Sequence, residues 1–326
     1  MKLHTLALSL VLAGLSFQAQ SEQTKSVPEQ TIDTLNGLSG GPHAGFRANH
    51  AKGVLATGSF RPSAEAASIS KAPHFKETVP VTVRFSTGTG LPVIPDANPK
   101  SRPYGMAIRF TLPKGGFTDF VGISYNGFPV STPEDFLGLL NAVATIGKST
   151  ESPAPIEKFL GSHPAALAFV QAPKPAPVSF GSQSYFGVNA FEFTNANGAS
   201  RFGRYRIIPV GGNEFISEED AAKRSPNYLM DELPARLAQG EVKFKILLQL
   251  AEKGDVTNDG SVVWPNERAI IELGTLTLSQ PVADGKQAEK ALAFNPLILP
   301  DGIAPSADPV LLARPLVYAI SVGRRN

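Results

Sequence analysis

The chain has no cysteine, which excludes a disulfide framework, thiolate chemistry and any cysteine-ligated metal or iron–sulfur centre. It has almost no net charge. Its 30 Lys and Arg against 28 Asp and Glu leave +2, too weak a field to draw nucleic acid or an anionic membrane. No fixed-period repeat is visible, and no linker separates two cores. The apolar run Leu6 to Leu15 is too short to span a bilayer. What remains is the balance of a globular protein, 42% hydrophobic and 18% charged over 326 residues, enough for one sizeable domain or two ordinary ones. The 28 prolines and 30 glycines predict many loops between short strands.

Residues 1–20 read as a secretory signal peptide: Lys2 and His4 precede the apolar run, and polar Gln18 to Glu22 follow it. Ala19 suits the last residue before cleavage, while Phe17 is larger than the small residue preferred two positions earlier. Export together with the absence of cysteine fits a bacterial periplasm. Residues 21–42 are mostly polar, end in Ser39-Gly-Gly-Pro42, and read as an N-terminal arm.

Beyond them, alternating runs at 54–60, 81–85, 107–110, 117–121 and 189–193 read as strands. Asn195-Ala-Asn-Gly198 is the turn of a hairpin whose return strand is Arg204 to Pro209. Val242 to Leu250 alternates most clearly. Helical spacing marks Pro133 to Ala144, a weaker segment from Pro155 to Val170, and Tyr228 to Leu237. Strands at hairpin spacing, with helices inserted or at the end, predict an α+β fold: an antiparallel barrel with helical additions.

The last helix carries the densest chemistry. Asp308 can cap a helix that starts at Pro309, where a missing N–H costs nothing. Arg314, Tyr318 and Arg325 follow at spacings of four and seven, on one helical face. A phenol beside a fixed cation is biased toward phenolate, one of the few side-chain ligands for the axial position of a haem iron. A guanidinium can meet a propionate with two hydrogen bonds. A core tyrosine with solvated arginines would read the same way. Pro315 removes one helical hydrogen bond, so the helix either bends there or starts later than Pro309.

Three more stretches stand out. Arg47 and His50 lie on a loop that runs into a strand, and an imidazole can exchange protons near neutral pH. In Val83-Arg84-Phe85-Ser86-Thr87, Arg84 and Ser86 share one strand face, and a buried arginine there needs an anionic partner. In Asp119-Phe-Val-Gly-Ile-Ser-Tyr-Asn126-Gly-Phe-Pro-Val130, Asn126 sits in a turn before a proline. Each also has a structural reading: a solvated histidine, an exposed barrel face, ordinary turn chemistry.

Taken in order, these stretches resemble the catalase family, and most closely its short members, the catalase-related peroxidases. The likeness rests on Arg47-x-x-His50-Ala-Lys-Gly, on Val-Arg84-Phe-Ser86-Thr, and on Asp-Phe-Val-Gly with Asn126-Gly-Phe-Pro-Val. It is completed by Arg314-x-x-x-Tyr318 and then Arg325. Further matches include Phe193-Thr-Asn-Ala-Asn-Gly, Trp264-Pro, Ile271-Glu-Leu-Gly-Thr-Leu and Phe294-Asn-Pro. They run in one order over residues 40–326.

The resemblance implies an eight-stranded antiparallel β-barrel with added helices, lacking the C-terminal helical domain of the large catalases. Residues 43–326 would form a single haem-binding domain for haem b. It also implies roles. Tyr318 would be the axial ligand and Arg314 its partner. His50 would move the peroxide proton, Asn126 would hydrogen-bond peroxide, and Ser86 would orient the imidazole. Arg47, Arg84 and Arg325 would hold the propionates. The function implied is a peroxidase reducing hydrogen peroxide, and organic hydroperoxides, with an organic electron donor through a ferryl intermediate, and with weak catalase activity. A true catalase, a hydroperoxide-rearranging enzyme and a non-enzymatic barrel for haem or an apolar ligand stay open. A mere carrier would not need His50, Ser86 and Asn126. Large catalases are oligomers, and a homodimer stays open here. Asn49, Gly88, Arg102, Ser131 and Thr132 depart from the large enzymes, which suggests a wider or differently charged approach for organic reductants.

Overall fold

A computed structural model describes residues 24–325; the signal-like segment 1–20 lies outside the described residues. The strands are β1 (Gly53–Pro62), β2 (Val79–Ser86), β3 (Gly105–Thr111), β4 (Phe117–Ile123), β5 (Ala176–Pro177) and β6 (Tyr185–Phe186). There follow β7 (Phe191–Thr194), β8 (Ser200–Pro209), β9 (Phe215–Ile216), β10 (Val242–Leu250), β11 (Ile270–Pro281) and β12 (Ile303–Pro305). Eight of them pair in the order β10-β11-β1-β2-β3-β4-β6-β8, and β8 returns to β10. The closing register runs from Phe244 opposite Pro209 to Leu250 opposite Gly203. The result is a closed eight-stranded antiparallel barrel, from which β7 and β12 extend beside the first residues of β8. Strands β5 and β9 form a separate pair.

Alternation decides which face of each strand is inside. On β10, Val242, Phe244, Ile246 and Leu248 are buried while Lys243 is exposed. On β2, Val81, Val83 and Phe85 join the core, so Arg84 and Ser86 point away from it. Phe85 stacks on Phe180 with ring centroids 5.4 Å apart, and Phe60, Phe85, Tyr185 and Phe244 are wholly buried. Each such ring contributes roughly 2–3 kcal/mol by leaving water. The barrel is therefore packed solid, and any site must lie on its outer surface.

The helices are α1 (Val27–Leu38), α2 (Ala66–Ile69), α3 (Pro133–Ala144), α4 (Pro155–Ser162), α5 (Pro164–Gln171), α6 (Glu218–Ala222), α7 (Tyr228–Gln239), α8 (Gly285–Ala291) and α9 (Pro309–Gly323). Helix α3 has the bounds its periodicity predicts, and the Thr132 hydroxyl accepts from the Asp135 N–H at 3.0 Å. The helical segment read from 155 to 170 is two helices. Pro164 has no N–H and disfavours helical backbone at His163, whose φ of −126° and ψ of 82° break the run.

Within the stretch read as an arm, Glu29 accepts from the Ser26 N–H at 2.8 Å and starts α1. Thr31 and Ile32 are buried, and α1 packs on α3 and α9. Helix α9 starts at Pro309 as the Asp308 cap predicts, and it runs through Pro315 to Gly323. Among the described residues no helix is long and apolar enough to cross a membrane.

Candidate active site

A cavity of about 260 Å³ lies between the outer face of β2, β3 and β4 and helices α1, α3 and α9. Its walls include Ile32, Met106, Val121, Phe128, Phe136 and Val317, which make it largely apolar. Arg47, His50, Arg84, Ser86, Arg314, Tyr318 and Arg325 all reach it. Asn126 does not line it, although Ile123 and Phe128 on either side do.

His50 stands just before β1 with φ of +55°, in the left-handed region that costs a non-glycine residue about 1 kcal/mol or more. Its neighbours hold it there. The Ala51 N–H donates to the Thr89 carbonyl at 2.9 Å. The Lys52 ammonium is buried against Asp96 at 2.7 Å and donates to the Ile94 and Pro226 carbonyls at 2.9 Å each. The His50 Nδ1 lies 3.1 Å from Ser86 Oγ, and strand register places Gly105 opposite Ser86. A Cβ on Gly105 would lie 2.7 Å from Ser86 Oγ and 2.8 Å from His50 Nδ1, so only glycine leaves room for this pair. Burial, reinforced by the Arg84 charge, lowers the His50 pKa to about 4. The ring is therefore neutral at pH 7.

The helical wall carries the second half. Arg314 donates from Nε at 3.0 Å and from Nη2 at 2.6 Å to the same Tyr318 hydroxyl oxygen. Its Nη1 donates to Asn189 Oδ1 at 3.0 Å, and Asn189 Nδ2 donates to Asp308 Oδ2 at 2.7 Å. The other Asp308 oxygen accepts from the Val310 and Leu311 N–H groups at 2.9 and 3.2 Å. Asp308 thus caps α9 and, through Asn189, anchors the arginine that orients Tyr318. Asn189 and Asp308 are both buried. No motif in the sequence marks Asn189, which meets Arg314 across 125 residues.

At the edge of the cavity three guanidinium groups converge. Arg84 Nε donates to Glu289 Oε1 at 3.0 Å. Arg47 Nη2 and Arg325 Nη1 both donate to the Leu292 carbonyl, at 2.7 and 3.4 Å. The Arg325 Nε is buried without a partner among the described residues. Burial, with Arg84 and Arg325 beside it, pushes the Arg47 pKa down to about 8. A guanidinium stays protonated at neutral pH, so Arg47 adds its positive charge to those of Arg84 and Arg325 beside it.

A model of the catalase family matches residues 45–325. The chain belongs to the catalase family. A catalase-related peroxidase of Mycolicibacterium paratuberculosis is 39% identical over 92% of this chain and 95% of its own. Another, from Synechococcus elongatus, is 32% identical over 99% of this chain and 95% of its own. The catalase of Rattus norvegicus is 26% identical over 83% of this chain, which spans 54% of that protein. Among solved structures, catalase A of Saccharomyces cerevisiae and a fungal catalase each superpose with a TM-score of 0.76 at 22% identity, over 90% of this chain. They share the fold. The chain spans 64% and 61% of their respective lengths.

Of the five positions at which the resemblance implies a departure from the large enzymes, Asn49 alone is among the described residues that line the cavity. Arg102 is held by Glu218 at 2.6 and 3.0 Å, and Thr132 caps α3. A Cβ on Gly88 would lie 2.3 Å from the Pro103 carbonyl oxygen. The donor set of the cavity fits haem. A largely apolar slot suits the ring, an oriented phenol suits the iron, and buried guanidinium groups short of anions suit the propionates.

Proposed function

We propose that this chain is a haem b peroxidase that reduces hydrogen peroxide, and organic hydroperoxides, with an organic electron donor. The observation that carries the reading is one cavity holding both a phenol doubly bonded by Arg314 and a neutral imidazole held by Ser86. A simple haem carrier needs only the first. Tyr318 would hold the iron, while Arg47, Arg84 and Arg325 would hold the propionates. When bound, haem supplies the redox chemistry that splits the O–O bond and oxidises the donor.

The chain's own part is acid–base chemistry and positioning. With Nδ1 engaged by Ser86, His50 keeps Nε2 free to take a proton from the near oxygen of peroxide and return it to the far one. That transfer lets water leave rather than hydroxide. A neutral His50 at working pH is the form that can accept the proton. Asn126, in the turn between two cavity-lining segments, is assigned the hydrogen bond to peroxide. The apolar walls strengthen every polar interaction inside the cavity. The signal-like segment supports export to a periplasm.

The test is the ultraviolet–visible spectrum of the purified, haem-loaded protein, before and after hydrogen peroxide. High-spin ferric features of tyrosinate ligation should appear, and Tyr318→Phe should lose them or lose haem. A spectrum unchanged by that substitution would remove Tyr318 as ligand. Oxygen evolution compared with dye oxidation then separates catalase from peroxidase turnover.

A further inference from the structure

Glu289, on α8, is absent from the motifs that mark the haem site, yet among the described residues it is the one carboxylate in contact with the edge arginines. We propose that Glu289 is a positioning residue for the carboxylate edge of the cofactor, acting through Arg84; this rests on the haem reading above. Arg84 is 3% exposed. Its Nε is fixed by Glu289 at 3.0 Å and its Nη2 by the Ala51 carbonyl at 3.2 Å. Both contacts lie along the Nε–Nη2 edge, and Nη1, with no hydrogen-bond partner among the described residues, is left for the cavity that Arg84 lines. Glu289 does not line the cavity, so it grips the arginine without competing for the ligand's place. A Cβ on Gly53 would come within 2.4 Å of Arg84 Nη2, so the backbone on the remaining side is shaped to the same guanidinium pose.

Charge gives the second argument. Arg47, Arg84 and Arg325 bring three positive charges, and Glu289 brings one negative. Among the described residues Arg47 and Arg325 meet only neutral carbonyls, that of Leu292 for both and that of Glu289 for Arg47, and Arg325 Nε has no acceptor. Two negative charges are missing, the number that two propionates carry. Glu289 balances the third arginine, so the edge is matched to a dicarboxylate. A trianion would be needed without it.

A salt bridge that merely ties α8 to the barrel would affect any ligand of the cavity equally. Positioning of Arg84 would affect only ligands with carboxylates. Dissociation constants for haem and for haem dimethyl ester, read by Soret titration, separate the two. Glu289→Ala should weaken haem about tenfold, the worth of one charge-assisted hydrogen bond, and change the ester less than about twofold. Glu289→Gln, which keeps an acceptor for Nε, should recover most of the haem affinity. Equal weakening of both ligands, or an unchanged haem affinity in Glu289→Ala, overturns the proposal. Should Glu289→Ala not fold, Glu289→Asp carries the same test: a haem-selective loss supports positioning, and an equal loss or none overturns it. A wild-type protein that binds neither ligand would sink the haem reading and this inference with it, whereas wild-type binding without the selective loss sinks the inference alone.

Discussion

Gly105→Ala adds one methyl group where the structure has no space for it. The new Cβ would stand 2.7 Å from Ser86 Oγ, 2.8 Å from His50 Nδ1 and 3.0 Å from His50 Cε1. Ordinary contact begins near 3.4 Å, so hydroxyl and imidazole must each retreat by roughly 0.6 Å. They are already only 3.1 Å apart, and His50 is pinned in a left-handed backbone conformation, so the ring has little freedom to follow. Overpacking of this size costs about 1–3 kcal/mol and should lower Tm by several degrees. Positioned proton transfer is worth about 10²–10⁴ in rate, and a displacement of a good part of an ångström should forfeit about 10–100-fold of it. The three atoms nearest the methyl group belong to Ser86 and His50 and not to Tyr318 or the edge arginines, so haem affinity should stay within about twofold. The assay is stopped-flow measurement of the spectral change on mixing the haem-loaded protein with excess peroxide, alongside a Soret titration. A folded Gly105→Ala protein that reacts at the wild-type rate would refute the role given to the His50–Ser86 pair. A loss of haem matching the loss of rate would refute its separation from the edge arginines.

Acid should destabilise the fold in a defined window. Burial lowers the pKa of His50 to about 4 and of His74 to about 3, against about 6.5 in the unfolded chain. Stability from these groups is fully present above pH ~6.5 and is lost as pH falls toward their folded values, because the unfolded chain binds the protons first. The ceiling is about 3 kcal/mol for His50 and about 5 for His74. Urea midpoints measured from pH 7 to 4 should therefore fall, and less steeply in His74→Phe; an identical slope in that variant would rule His74 out. Asn189→Ala leaves Arg314 Nη1 and Asp308 Oδ2 without their partners and should cost about 2–4 kcal/mol. It should also alter the tyrosinate bands of the haem-loaded protein. Unchanged melting and unchanged bands would show that Asn189 does not hold Arg314.

Local chemistry made much of this fold legible. Asp308 with Pro309 announces the start of α9, and the starts of α3 and α9 fall at Pro133 and Pro309 as read. The alternation in Val242 to Leu250 announces β10. Two departures also have local causes: Pro164 divides 155–170 into two helices, and Ser26 with Glu29 starts α1 inside a stretch that looks merely polar. Barrel closure lay beyond such signals, since β8 and β10 join through pairs such as Leu248 with Tyr205, and β6 has only two residues.

The site divides along the same line. Arg314 and Tyr318 are one helical turn apart, so their contact can be read from spacing. Asn189 and Glu289 reach their arginines across 125 and 205 residues, and an ordinary asparagine or glutamate in sequence does not reveal such a partner. The turn that carries Asn126 was legible as a turn, but its direction relative to the cavity was not.

The packed barrel has a consequence for how the protein comes to be made. Every barrel strand precedes α9 in the sequence, whereas His50 and Ser86 belong to the first strands and their flanks. Synthesis runs from the N-terminus, so the phenol is the last of the site's assigned side chains but Arg325 to be made. On the haem reading, a cofactor could be held from both sides only once Asp308 has capped α9 and the helix has packed on the barrel wall. On that reading, a chain still lacking α9 offers a haem only one of the site's two working halves.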